Sequence, residues 1–198
     1  MVQQLQITPL ISFNESGQLQ LHTNQDINSL AYRYALKELN PFVVEGLNYS
    51  SFNTNGQLDD YNEETDEGSL TKEWLQKSQL LLESVMIANI KNSDYFIHKG
   101  EGNYKFTFAD KNLNQYRTIT VVSDQGIGIG VGEDDPSATT QATYNIHFGS
   151  PNQVNVMAGS LKNDSMFGGM NNDILDGLNG DDYIEGGATN DTSYRLAA

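Results

Sequence analysis

Four aspartates spaced nine residues apart constrain the fold of this chain more than any other feature. They are Asp164, Asp173, Asp182 and Asp191. Each is the sixth residue of a nonapeptide that begins with glycine, and the glycines are Gly159, Gly168, Gly177 and Gly186. A nine-residue unit cannot bury a core alone, so units of this kind must stack on one another.

Two further positions of the nonapeptide carry information. Position eight is large and apolar in the first three units, as Met166, Leu175 and Ile184, and we expect these side chains to point inward. It is Ser193 in the fourth unit, which is therefore the weakest. Position five is asparagine in three units, and these side chains join the candidate metal ligands: Asn163, Asn172 and Asn190.

Position four departs from a glycine-rich turn in three of the units. It is Lys162 in the first, Asn171 in the second and Thr189 in the fourth. Asparagine tolerates the left-handed backbone region, whereas lysine and β-branched threonine adopt it poorly. We therefore expect imperfect turns, most of all in the fourth unit.

The repeats resemble the hemolysin-type calcium-binding nonapeptides of RTX (repeats-in-toxin) exoproteins, whose pattern is G-G-x-G-x-D-x-U-x. The resemblance implies a parallel β-roll, in which a six-residue turn binds calcium, a short strand follows and two nonapeptides complete one winding. Asp164 would then stack on Asp182, and Asp173 on Asp191. We interpret residues 150–158 as a degenerate opening coil that lends Asn155 to the turn of Asp173.

Elementary electrostatics agrees with a cation at these turns. Stacked parallel strands lie about 4.8 Å apart, and two carboxylates at that distance repel by roughly 1–3 kcal/mol at effective dielectric constants of about 20 to 80. Calcium relieves this repulsion and accepts peptide carbonyls as further ligands. Glycine supplies the positive φ and the close backbone approach that such turns need. Four turns allow at most two stacked aspartate pairs.

Two other interpretations of the repeats remain open. An Asn, Asp and Gly-rich tail can be a solvated, turn-rich linker, although an unbroken nine-residue phase across four units disfavours this. Alternatively, the coils form but bind calcium weakly or at one site only.

Composition excludes several classes of protein. The 198 residues carry a net charge of −15, which disfavours a phosphate backbone as partner and favours cations. The chain has no cysteine, so it has neither a disulfide scaffold nor a thiolate zinc site. No apolar run approaches membrane-spanning length, and no N-terminal secretion signal is visible.

The resemblance also implies a localisation and partners. RTX exoproteins leave bacteria through type I secretion machinery, and calcium outside the cell then drives their folding. We therefore expect a secreted segment of such an exoprotein whose cell-surface partner is unknown. Because the sequence stops within its last repeat, we expect a piece of a longer protein whose toxin, lipase, protease or adhesin domain lies elsewhere.

The first 149 residues predict an α+β domain. Strands are expected at 5–13 and 19–21, and helices from Asp26 to Asn40 and from Ser69 to about Ile90. Period-two alternation predicts strands at 95–99, 104–108, 116–122 and 144–148. The predicted fold class is thus an α+β domain, residues 1–149, followed by a short calcium-binding parallel β-roll, residues 150–198. Segments 34–42, 55–59 and 68–71 also look like those that precede the repeats in long RTX exoproteins.

No enzyme is predicted from the motifs. HExxH and GxSxG are absent, and His98 and His147 lie in strand patterns, where a structural histidine is expected. Two alternatives to a calcium-folded binding segment stay open. One is calcium-triggered self-processing at Asp135-Pro136, by resemblance to the iron-regulated meningococcal RTX type, against a plain turn at that place. The other is an adhesive or interaction module on the α+β domain.

Overall fold

The computed structural model describes residues 4–13, 15, 19–21, 29–62, 64–65, 67–91, 95–99, 102–107, 117–122, 142–150, 153–187 and 189–194. The chain divides into two compact units, Met1–Met86 and Ile87–Ala198. Asp26 and the Asp135-Pro136 bond lie outside the described residues. No helix in the described part is long and apolar enough to cross a membrane.

Short strands and two helices build the first unit. Its elements are β1 (Gln6–Pro9), β2 (Ile11–Phe13), β3 (Leu19–Leu21), α1 (Leu30–Lys37), β4 (Phe42–Glu45), a 3-10 helix (Tyr49–Phe52) and most of α2 (Lys72–Lys91). Strand β1 pairs antiparallel with β4, and β2 with β3. The buried core of this unit consists of Leu10, Ile11, Ala31, Tyr32, Ala35, Leu36, Val43, Tyr49 and Leu82.

The caps of both helices lie later in the chain than the sequence patterns suggest. Ser29 caps α1, where its side chain accepts a hydrogen bond from the Tyr32 N–H at 3.2 Å. The hydroxyl of Thr71 accepts from the Trp74 N–H at 3.0 Å at the start of α2. Ser69, the predicted cap of α2, instead donates its backbone N–H to the carbonyl of Asp59. The loop pairing therefore moves the start of the helix two residues later.

The described residues of the second unit form nine strands, after the end of α2. They are β5 (Tyr95–Lys99), β6 (Gly102–Thr107), β7 (Arg117–Val122), β8 (Ala142–Phe148), β9 (Val156–Ala158), β10 (Ser165–Gly169), β11 (Ile174–Asp176), β12 (Tyr183–Gly187) and β13 (Thr192–Tyr194). Six of them form one sheet in the order β12-β10-β8-β7-β6-β5, and three form another in the order β13-β11-β9. The four strands predicted between residues 95 and 148 are confirmed, with small shifts at their ends.

The predicted fold class is wrong. The described residues form a mixed α/β structure with four sheets and two α-helices, and no separate solenoid is present among them. One edge of β8 pairs antiparallel with β7, and its other edge pairs parallel with β10. Strands β10 and β12 therefore extend the antiparallel sheet of β5–β8, and only three short strands form the other parallel sheet. The predicted division of the chain into domains 1–149 and 150–198 stays a prediction.

The repeat strands nevertheless pair in a constant register. Residues eighteen apart are partners between β10 and β12, between β9 and β11 and between β11 and β13, as Met166 with Ile184 shows. The position-eight side chains of the two sheets pack together, so their predicted inward direction is confirmed. This cluster consists of Met157, Met166, Leu175 and Ile184.

One extra residue interrupts the nine-residue phase before the first repeat. Met166 pairs with His147 in β8, an offset of nineteen rather than eighteen. Gly149, not Ser150, stands where a repeat glycine stands, because a Cβ on it would meet the carbonyl of Gly168 and the Asn155 side chain. The opening coil therefore begins one residue earlier than the interpretation from sequence placed it.

Candidate metal centre

The repeat aspartates form two columns, and in each column the turns that lie eighteen residues apart are stacked on one another. We call Asn145, Asp164 and Asp182 the first column, and Asn155, Asp173 and Asp191 the second column. Within each column, a residue of one turn donates its backbone N–H to the carboxylate of the turn eighteen or nineteen residues later. The predicted pairing of Asp164 with Asp182, and of Asp173 with Asp191, is thereby confirmed.

In the first column, Asn145 donates two hydrogen bonds to one oxygen of Asp164. Its backbone N–H lies 2.9 Å from Asp164 Oδ1, and its side-chain amide lies 3.1 Å from the same atom. The other oxygen, Asp164 Oδ2, accepts from the backbone N–H of Ser160. Asp164 in turn donates its N–H to Asp182 Oδ1 at 2.9 Å. An asparagine thus precedes two successive aspartates.

The second column repeats this plan. The backbone N–H and the side-chain amide of Asn155 lie 2.7 and 3.0 Å from Asp173 Oδ1. Asp173 donates its own N–H to Asp191 Oδ1 at 2.8 Å. The predicted contribution of Asn155 to the turn of Asp173 is therefore confirmed. Asn145 was not among the site residues predicted from the sequence. Its strand lies before the repeats, and the extra residue at 149–155 shifts Asn145 out of the nine-residue phase.

Three of the four aspartates are almost completely buried. Asp164 is 2 % exposed, Asp173 1 % and Asp182 7 %. The Oδ2 atoms of Asp173 and Asp182 have no hydrogen-bond partner, and no ion pair within the described residues involves a repeat aspartate. A buried carboxylate oxygen without a partner costs several kcal/mol unless a proton or a cation reaches it.

The titration of Asp173 agrees with its burial. Burial raises the pKa of the Asp173 carboxyl above its ordinary value, and the negative charge of Asp191 raises it further. The backbone and side-chain hydrogen bonds from Asn155 oppose this rise. Because the pKa is raised, the charged form of Asp173 is disfavoured in the folded protein without a cation.

The position-one glycines are needed for close approach rather than for positive φ. A Cβ on Gly159 would lie 2.7 Å from Asp164 Oδ2 and 2.6 Å from the carbonyl oxygen of Gly177. Gly168, Gly177 and Gly186 make the corresponding approach to the carboxylates of Asp173, Asp182 and Asp191. The space beside each carboxylate is therefore bounded by backbone, and for Gly159 and Gly168 a carbonyl oxygen of the next turn lies there too.

Positive φ falls at positions two and four of the turns instead. Gly169, Leu178 and Gly187 have it at position two, and Gly180 and Thr189 have it at position four. Thr189 has a φ of 103°, so the predicted difficulty with threonine in the fourth unit is real. Lys162 and Asn171 avoid this conformation.

The position-five asparagines differ from one another. The side-chain oxygen of Asn163 accepts a hydrogen bond from the Asp181 N–H at 3.0 Å and so joins two turns of the first column. Asn172 and Asn190 are exposed. Of these three candidate ligands, Asn163 makes a hydrogen bond between turns within the described residues.

His147 lies among the inward-facing side chains next to the first column. It pairs with Met166 in register, is buried, and its Nδ1 lies 3.0 Å from the Thr118 hydroxyl. Burial lowers its pKa, while the charges of Asp164 and Asp182 raise it. The expectation of a structural histidine in this strand agrees with its position.

Among the described residues, no group of three or more His, Cys, Asp or Glu side chains gathers at one point. The oxygens near the columns come in aspartate pairs and from peptide carbonyls. No protein-family model, no curated protein and no solved structure matches the chain.

Proposed function

We propose that the two columns bind calcium ions, one between the turns of Asp164 and Asp182 and one between those of Asp173 and Asp191. The observation that carries the proposal is the unpartnered Oδ2 atom of Asp173 and of Asp182, each in a buried carboxylate. A cation at these turns supplies the missing partner and offsets the repulsion between stacked carboxylates.

The donor set fits calcium better than other common metals. It consists of carboxylate and peptide carbonyl oxygens, without cysteine. Calcium takes about six to eight oxygen ligands in irregular geometry, whereas magnesium demands a near-ideal octahedron and keeps its waters. Zinc and copper favour nitrogen and sulfur ligands. Bound calcium would therefore neutralise paired carboxylates and hold adjacent turns together.

Metal binding of this kind couples to folding. A ligand that binds only the folded chain stabilises it by about 2.7 kcal/mol when its concentration is a hundred times the Kd. The net charge of −15 opposes compaction in the absence of cations. We therefore propose a segment of a secreted bacterial exoprotein of the RTX type, which folds when it meets calcium outside the cell.

A calcium titration of the whole chain tests this proposal. We expect saturable binding in calorimetry, together with a rise in β-structure by circular dichroism and a higher melting temperature. The double variant Asp173→Asn with Asp182→Asn removes the two unpartnered oxygens and should abolish most of the response, while magnesium should give little. Absence of saturable binding at millimolar calcium would contradict the proposal.

An interaction role for the first unit is a second candidate. One observation favours it: apolar side chains on and beside the β1–β4 pair are exposed, namely Leu5, Ile7, Phe42 and Leu47. Exposed apolar groups clustered on one face often mark contact surfaces. Ile7→Ser with Phe42→Ser should then weaken binding to host-cell or envelope fractions without changing calcium binding, and unchanged capture would count against this role.

A further inference from the structure

The side-chain nitrogen of Asn155 is surrounded by oxygen atoms. It lies 3.1 Å from the carbonyl oxygen of Ser150, 3.0 Å from that of Gln153, 3.1 Å from that of Gly168 and 3.0 Å from Asp173 Oδ1. Three of these atoms are peptide carbonyls and the fourth is a carboxylate oxygen. They belong to two adjacent turns, the opening turn and the turn of Asp173.

The orientation of this amide is fixed by its other end. Asn155 Oδ1 accepts a hydrogen bond from the Ser150 N–H at 2.7 Å. If the amide were flipped, its oxygen would face four oxygens and its nitrogen would face an N–H donor, so only one orientation is favourable. A primary amide has two hydrogens, and four acceptors around it exceed what it can satisfy. Such an excess of oxygens is characteristic of a cation site.

We infer that the Asn155 amide takes the place of a metal ion at the start of the second column. This inference rests on the proposed function, because it treats the oxygen atoms around the Asn155 amide as equivalent to those that we propose bind calcium in the later turns. The amide nitrogen supplies the positive partial charge that Asp173 Oδ1 requires, so the opening turn is closed without metal. The cation of this column is then restricted to the turns of Asp173 and Asp191.

The first column also begins with an asparagine amide that donates to an aspartate. The amide of Asn145 donates to Asp164 Oδ1 as the amide of Asn155 donates to Asp173 Oδ1. An asparagine thus precedes the aspartates in both columns, and in both it donates to the Oδ1 atom of the first of them. Metal-free ends give each column a fixed start, to which calcium-dependent turns can be added.

The substitution Asn155→Asp tests this inference because it replaces the amide nitrogen by a ligand oxygen. We expect the variant to bind one calcium ion more than the unaltered chain in calorimetry or equilibrium dialysis. Without calcium its melting temperature should fall, because two carboxylates would then face each other. Asn48→Asp is the matched control, since it adds the same charge at an exposed residue of the first unit, where a carboxylate can still accept the hydrogen bond from the Ser50 N–H, and it should leave the number of bound ions unchanged.

The outcomes separate this inference from the proposed function. If the unaltered chain binds calcium and Asn155→Asp binds no additional ion, the inference is overturned and the proposed function stands. If the unaltered chain binds none and the variant binds one, the inference stands and the proposed function fails. If calcium-free Asn155→Asp does not fold, the calcium dependence of its folding midpoint counts the ions taken up, and a count no higher than that of the unaltered chain again overturns the inference.

Discussion

In the first column Asp182 is almost completely buried and leads into β12 of the six-stranded sheet, whereas in the second column Asp191 is half-buried and leads into β13 of the three-stranded sheet. The aspartates of the first column thus precede strands of the sheet that also contains β5–β8, whereas those of the second column precede strands of the sheet formed by β9, β11 and β13. We therefore expect the same nonapeptide to give turns of different rigidity, because the strand that follows each aspartate belongs to a different sheet.

Removal of one carboxylate from each column should have the largest effect. Asp182→Ala leaves the Asp164 N–H without its acceptor in a buried place, and it removes a proposed ligand. We expect a loss of about 3 kcal/mol in calcium-saturated stability. Asp191→Ala should cost clearly less, because Asp191 is more exposed and its repeat lacks the inward apolar residue. Urea unfolding with and without calcium measures both, and equal losses would show that the two columns matter alike.

Substitution of the position-one glycines should have the next largest effect. Gly159→Ala brings a methyl group against Asp164 Oδ2 and the Gly177 carbonyl, and Gly168→Ala brings one against Asp173 and the Gly186 carbonyl. We expect each to destabilise the fold by about 2 kcal/mol. Gly168→Ala should be the worse, because its methyl group would lie closer to the carbonyl oxygen of Gly186 than the 2.6 Å between that of Gly159→Ala and the Gly177 carbonyl oxygen, and Gly186 is held in β12 of the six-stranded sheet. Melting temperatures that fall less for Gly168→Ala than for Gly159→Ala would contradict this reasoning.

The pH dependence of stability tests the second column separately, through the carboxyl group of Asp173. Its pKa is raised in the folded, calcium-free protein. The folded state therefore binds a proton more tightly than the unfolded chain, whose aspartate pKa is about 3.9. The stability associated with Asp173 is fully present below that value, and it is lost as the pH rises through the folded pKa.

In a calcium-free buffer the protein should therefore gain stability relative to Asp173→Asn as the pH falls from neutral to about 4. The side chain of the Asp173→Asn variant stays neutral, so the variant lacks the pH-dependent contribution of Asp173 to the free energy of unfolding. Unfolding curves at several pH values measure the difference. A constant difference between the two proteins across this range would refute a raised pKa at Asp173.

The smallest expected effect concerns position four. Thr189 has a φ of 103°, so Thr189→Gly should relieve strain and stabilise the second column by about 0.5–1 kcal/mol. Lys162→Gly is the matched control at the same position of the first repeat, where φ is not positive, and it should destabilise instead. Thermal unfolding in saturating calcium compares the two, and a loss of stability in Thr189→Gly would count against strain at this turn.

Much of the local structure follows from the sequence. Period-two alternation between residues 95 and 148 gave the strands β5–β8, and the nine-residue phase gave the aspartate pairs and the inward Met166 and Leu175. These features depend on local geometry that repeats along the chain. They are therefore visible in spacing alone.

The missing parts depend on contacts between distant residues. The joining of β10 to β8 could not be read from the repeats, because a strand edge is open or paired according to which other strand reaches it. The asparagine of the first column was missed since the extra residue between Gly149 and Asn155 shifts Asn145 out of phase. A search that allowed one inserted residue would have brought Asn145 into line with Asp164.

The continuous pairing from β7 through β8 to β10 and β12 gives assembly of this unit a direction. Five-residue strands such as β10 and β12 bury too little surface to be stable alone, so each of them needs the edge of a neighbouring strand on which to pair. Strand β8 can therefore act as a template whose open edge accepts β10, and β10 then accepts β12. Growth would proceed toward the later repeats, with each turn ordered on one already formed.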